Sequence, residues 1–195
     1  MLTIPEPPEA LPAGACEPVE EVVLGFRLDW HADPLVPRRY PKGRFRFDPP
    51  RGEFSVIYVC SDDVGCFAEV FGDTRYIDAS DGTRRLFAID SRRPLRLLDL
   101  IDGGCLMSFG LDARLCVMKP YRRPQLWSRA FSRWYPELDG LRYVPRHATG
   151  KTNYCLYLDR CGPDLRAQDR GEIRLDLGLL ERVIDEYPLT TLLLP

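Results

Sequence analysis

The chain has 195 residues, 45% hydrophobic and 29% charged, with a formal charge of -2 and an isoelectric point near 5.8. This length fits one domain with a buried core, and no uncharged apolar run approaches the ~18 residues of a membrane span. The first residues lack the basic start and apolar run of a secretory signal, so a cytosolic chain is expected, with no membrane partner. The slight acidic excess argues against direct nucleic-acid binding, because such affinity rests on neutralising phosphates.

Residues 1–20 are rich in Pro and Glu and read as a loose or irregular arm, with residues 21–195 forming a single domain. Val22 to Leu28 is a predicted strand carrying Arg27 at its end. Residues 33–52 are rich in Pro, Arg and Gly and should be irregular. Within them, Gly43-Arg44-Phe45-Arg46-Phe47-Asp48-Pro49-Pro50 alternates Arg with Phe. Ser55 to Cys60 is β-branched and aromatic, as a buried strand requires. Ser61-Asp62-Asp63 then supplies a cap and first-turn acids for a helix to about Phe71. Its apolar face is Val64, Phe67, Ala68 and Phe71, with Glu69 beside that face.

Further strands are predicted over Leu86–Asp90 and Leu95–Leu100. Pro124 suits the first turn of a helix whose Leu126, Trp127, Ala130, Phe131 and Trp134 form one stripe. Ser128 should lie at the border between that stripe and open surface. Leu141–Val144, Tyr154–Leu158 and Ile173–Leu177 read as short strands, followed by a helix over Leu179–Tyr187. The terminal run Leu192-Leu193-Leu194 is expected to pack internally. Strands and helices alternate without regular crossover helices, which predicts an α+β fold around a mixed or mostly antiparallel sheet.

Seven cysteines are scattered without a Cys-x-x-Cys pair, so free buried thiols and no metal site are expected. Ala148-Thr149-Gly150-Lys151-Thr152 ends like a phosphate-binding loop but has Pro145 where the first glycine belongs. No G-x-G-x-x-G, H-E-x-x-H or G-x-S-x-G pattern occurs. His31 and His147 read as polar loop residues. Basic residues are 24 Arg and 3 Lys, and Arg is suited to bidentate capture of phosphates and carboxylates.

Four polar residues stand where packing alone would not put them: Arg27 in an apolar strand, Arg46 between two Phe, Tyr58 in an aliphatic strand, and Glu69 on a sheet-facing helix. In order, the Gly43–Pro50 segment, Ser55-Val56-Ile57-Tyr58-Val59-Cys60-Ser61 and Cys66-Phe67-Ala68-Glu69-Val70 resemble the RES domain. So do Leu97–Leu100, Gln125-Leu126-Trp127-Ser128 and Asp139–Arg146. The resemblance spans roughly Phe26 to Leu158. It implies a fold similar to the ADP-ribosyltransferases and a NAD-consuming toxin of a type II toxin–antitoxin pair. Its implied partner is an Xre-type helix-turn-helix antitoxin, and homo-oligomerisation is left open. By resemblance, Arg27, Arg46, Tyr58, Glu69 and Ser128 occupy functional positions. One departure is Asp48, where many members carry Asn.

The chemistry implied suits this set. Nicotinamide leaves NAD as a neutral group, so no general acid is needed at the bond that breaks. Glu69 would stabilise an oxocarbenium-like ribose, as carboxylates do in glycoside hydrolysis. Arg27 and Arg46 would hold the diphosphate, and Tyr58 would stack on nicotinamide or wall its pocket. Ser128 would bind substrate or position Glu69. With inorganic phosphate as co-substrate, Arg146 is a candidate to hold it. Two alternatives accompany this reading: mono-ADP-ribosylation of a protein, and an inactive nucleotide-binding or interaction module.

Overall fold

The computed structural model describes residues 3–77 and 84–191, and the Leu192-Leu193-Leu194 run lies outside them. The first half of the chain forms β1 (Val19–Glu21), β2 (Leu24–Asp29), β3 (Val56–Cys60), α1 (Asp63–Phe71) and β4 (Tyr76–Ile77). There follow β5 (Arg85–Ser91), β6 (Leu95–Asp99), α2 (Gly103–Ser108), α3 (Arg114–Val117) and α4 (Arg122–Trp134). The last third holds β7 (Gly140–Tyr143), β8 (Asn153–Tyr157), α5 (Leu158–Cys161), β9 (Leu165–Glu172), α6 (Leu177–Glu186) and β10 (Thr190–Thr191).

Among the described residues, eight strands form one sheet in the order β1-β6-β7-β8-β3-β2-β5-β9, while β4 and β10 pair separately. Every pairing in the large sheet is antiparallel except β6 with β7. The fold is α+β, as the element pattern predicts. β3 illustrates why its residues make a central strand. Ile57 and Val59 enter one apolar cluster with Phe87, Ile89 and Leu156. The alternate residues Val56 and Tyr58 pack toward another cluster, built on Trp127, Phe131 and Leu141. Period-two alternation thus feeds two cores from four residues, and Cys60 at the strand end joins a third, with Val64 and Phe67 of α1.

α1 begins where the Asp62 carboxylate accepts from Gly65 N at 2.7 Å, satisfying an orphan donor of the first turn. Its Val64, Phe67 and Phe71 pack with Leu179, Leu180 and Val183 of α6. α4 buries Trp127, Ala130 and Phe131 as the stripe requires. No helix among the described residues is long and apolar enough to cross a membrane.

Four expectations change. The arm is irregular but not loose: Ile4 is buried, Trp127 Nε1 donates to Pro5 O at 2.9 Å, and Tyr135 Oη donates to Cys16 O at 2.8 Å. Residues 19–21 then add an edge strand beside β6. Cys16 and Cys105 form a disulfide, their Cα atoms 5.1 Å apart, because the packed arm brings position 16 against α2. The other five cysteines are free and buried, and burial pushes the Cys60, Cys116 and Cys161 thiols up to about 12. Ile173–Leu177 is not a strand: Ile173–Leu175 is one 3-10 turn leading into α6, which Asp176 caps at Leu179 N. The strand lies one segment earlier, at β9, an exposed sheet edge whose polar sequence shows no apolar alternation.

Candidate active site

A cleft of about 410 Å³ opens along β3, between the end of β2, α1 and the loop before β3. Arg27, Arg46, Tyr58 and Glu69 all line it, although they are spread over more than forty positions. Each is held by a different local device.

Glu69 lies late on α1, and its carboxylate accepts the His147 backbone N–H at Oε1 (2.5 Å) and the Asn153 side-chain amide at Oε2 (3.1 Å). The loop carrying His147 presses close to the helix end at Gly72. A Cβ there would meet His147 Cγ at 2.5 Å and Ala68 O at 2.4 Å, so a side chain at 72 would drive away the donor that grips Glu69.

Arg27 is fixed inside the protein before any ligand arrives. Its Nε and Nη2 donate to Asp29 Oδ2 at 3.0 and 2.7 Å, and Nη1 donates to Tyr58 O at 3.2 Å. Burial pushes the Asp29 carboxyl up, but Arg27, the His31 N–H and Arg38 outweigh it and hold Asp29 below the usual carboxylate range. The fork therefore faces Asp29, and only the outer Nη hydrogens are left for an anion. Arg46 is largely buried, donates to Met118 O at 2.7 Å and lies 4.9 Å above the Tyr121 ring.

Tyr58 is a wall and a staple. Its hydroxyl donates to Asp48 Oδ1 and accepts from Phe47 N, both at 2.9 Å, and its ring meets Phe45 edge-on at 5.8 Å. Burial and then the neighbouring Cys155 and Asp48 raise its ionisation well above the ordinary tyrosine range, which suits no proton transfer at neutral pH. Asp48 does line the cleft, yet both oxygens are turned to protein donors: Oδ1 to Tyr58, and Oδ2 to Arg44 N and Phe45 N at 2.8 Å each. It shapes the arginine loop instead of confronting a phosphate.

Ser128 is not at a surface border but 0% exposed, and it does not line the cleft. Its hydroxyl donates to Phe47 O at 2.7 Å and reaches neither Glu69 nor the open cavity. The helix stripe sits deeper than periodicity alone implies, because the loop over residues 43–48 covers it. Ser128, Tyr58 and Asp48 thus converge on one loop segment.

Arg146 does not line the cleft either. Arg146 Nη1, His147 Nε2 and Lys119 Nζ approach the Asp73 carboxylate at 3.0, 3.3 and 2.6 Å. Asp73 lines both the cleft and an adjoining hollow of about 350 Å³ that Arg146 faces. Lys119 foremost holds its carboxyl below the usual range.

Sequence reasoning missed further cleft residues. Arg84 stacks 3.7 Å from the Trp30 ring and 4.9 Å from Phe71, and Tyr121, Tyr143 and Asn153 also line the cleft. None carries a local signal. Tyr143 reads as an ordinary strand residue, Asn153 falls just before the predicted strand Tyr154–Leu158, and Arg84 directly precedes β5 with no pattern of its own.

Comparison with known proteins bears on the family and the fold. The RES domain family model matches residues 20–177. In fold, the chain is similar to a chain of the M. tuberculosis MbcT–MbcA toxin–antitoxin complex. The TM-score is 0.63 at 18% identity, covering 86% of this chain and 92% of that one. No curated protein matches in sequence.

Proposed function

Because this chain belongs to the RES domain family, we propose that it is the toxin of a toxin–antitoxin pair and cleaves the nicotinamide–ribose bond of NAD. One observation carries the reading: the Glu69 carboxylate is gripped by two N–H donors at the wall of a cleft that Arg27, Arg46 and Tyr58 also line. The toxin assignment also draws on the fold shared with a chain of the MbcT–MbcA toxin–antitoxin complex.

The reaction asks little of a proton donor. The C1′–N bond breaks as the pyridinium takes the electron pair and departs as neutral nicotinamide. The positive charge then rests on the ribose, where a fixed carboxylate stabilises it without reorganising. Glu69 fills that role. The outer hydrogens of Arg27 and the pinned guanidinium of Arg46 hold the diphosphate, and Tyr58 closes the wall. Loss of charge from the leaving group explains why two His in the whole chain suffice.

The acceptor we favour is inorganic phosphate. Lys119 and Arg146, with the His147 imidazole beside them, gather around the single Asp73 carboxylate on the wall shared with the second hollow, so two cationic side chains share one carboxylate beside the cleft. Attack by phosphate gives ADP-ribose 1″-phosphate, attack by water gives ADP-ribose, and transfer to a side chain gives a modified protein. The partner is an antitoxin, of the Xre helix-turn-helix type by family, seated over the cleft in the cytoplasm. The rim favours a polypeptide there, since Trp30 and Phe45 are 46% and 42% exposed at its mouth.

The test is NAD consumption by the purified chain, with products identified by mass spectrometry in phosphate and phosphate-free buffer. Glu69→Gln keeps shape but not charge, and should lower turnover at least ~100-fold while the melting temperature falls by no more than about 3 °C. A folded Gln variant that consumes NAD at near-normal rate refutes the role.

A further inference from the structure

The two donors on Glu69 differ in kind. His147 offers main chain, so that contact does not depend on its residue type. Asn153 offers a side chain, from the first position of β8, opposite Cys60 of β3 and Tyr143 of β7. It is 4% exposed in the middle of the sheet, and the rest of β8 is Tyr154-Cys155-Leu156-Tyr157.

Chemistry fixes the orientation of its amide. A carboxylate only accepts, so the NH2 group faces Glu69 and Oδ1 turns away. Oδ1 has no hydrogen-bond partner, although it is buried. An unpaired buried acceptor opposes folding, and an apolar residue of similar size would avoid it. Apolar packing therefore does not account for asparagine here, whereas the N–H on Glu69 Oε2 does, with the Tyr143 hydroxyl as a second polar neighbour of the amide.

We propose that Asn153 is the positioning residue of Glu69: with the His147 N–H it clamps both carboxylate oxygens, fixing the plane the carboxylate presents to the cleft. The proposal rests on the reading of Glu69 as the group that meets the ribose. Without Asn153, Oε2 loses its only side-chain donor among the described residues and the carboxylate swings about the His147 contact. Substrate binding, which depends on the arginines, is then retained while the bond-breaking step slows.

The experiment compares Asn153→Leu and Asn153→Asp with the wild-type chain, measuring NAD turnover and NAD affinity separately. Leu should lower kcat by about 100-fold while the Kd for NAD stays within about threefold, as misplacement of a catalytic group predicts. Asp matches the shape but cannot donate and adds a like charge, so it should be at least as slow as Leu. A merely structural asparagine predicts the reverse order, or a Kd loss that tracks kcat/KM. Either outcome, or a Leu variant with kcat within about threefold of wild type, overturns the proposal.

A second readout needs neither turnover nor a folded Asn153 variant. In NMR spectra of the substrate-free chain, the Asn153 side-chain amide signals should move on Glu69→Gln, and unmoved signals overturn the assignment. A wild-type chain that leaves NAD intact would instead defeat the functional reading, with the NMR result still deciding the contact.

Discussion

Replacing Asp48 separates loop architecture from substrate contact. Asp48 is 2% exposed and satisfies three donors, Arg44 N, Phe45 N and the Tyr58 hydroxyl. Hydrogen bonds to a charged group each stabilise by about 1.5–3 kcal/mol, but water reaches this loop in part and the three act as a unit. Asp48→Ala should therefore cost on the order of 3–4 kcal/mol, which for a chain of this size lowers the melting temperature by about 10 °C. Asp48→Asn is milder. Its carbonyl must face the two backbone N–H groups, so its NH2 turns to Tyr58 Oη. That oxygen already accepts from Phe47 N and can accept once more, but its own proton then has no acceptor. The cost is about 1 kcal/mol, or about 3 °C. Differential scanning fluorimetry reads both values, and NAD kinetics read the consequence. Freed of its anchor, the loop lets Arg46 drift, so Ala should raise KM about tenfold while Asn leaves it within about threefold. The reasoning fails if Asn destabilises as much as Ala, or if Ala melts with the wild type.

Three further outcomes follow from the same contacts. Arg27→Lys keeps the charge but cannot span Asp29 Oδ2 and Tyr58 O together, so kcat/KM for NAD should fall at least ~10-fold; unchanged turnover removes Arg27 from the site. Ser128→Ala leaves the buried Phe47 carbonyl without its hydroxyl donor and should cost about 1–2 kcal/mol, a melting temperature about 3–6 °C lower, with NAD affinity nearly unchanged; a large affinity loss would restore a direct role in binding. Because the folded Asp29 carboxyl titrates below its unfolded value of ~3.9, its stabilisation is present above that pH and is lost as pH falls through the folded value. Acid unfolding followed by circular dichroism should accordingly be less steep below about pH 4 in Asp29→Asn than in wild type, and parallel curves would dismiss the linkage.

Much of the frame was legible from residue order alone. Alternation in Val56-Ile57-Tyr58-Val59-Cys60 and the stripe of α4 each encode a burial pattern within one element, and Ser61-Asp62-Asp63 marks the start of α1, although Asp62 and not the serine before it makes the cap. The same local logic failed at β9, an edge strand whose side chains mostly face water and need no alternation. It failed again for the arm, whose Trp127 and Cys105 anchors lie about a hundred residues away. Arg27, Arg46, Tyr58 and Glu69 stood out because each is polar within an apolar or aromatic run. What each touches was not written there. That Asp48 faces backbone instead of phosphate, that Ser128 holds Phe47, and that Asn153 grips Glu69 are pairings between segments ten to more than eighty positions apart. Burial periodicity is a property of one segment, whereas a hydrogen bond needs two, and only the folded sheet brings them to between 2.7 and 3.1 Å.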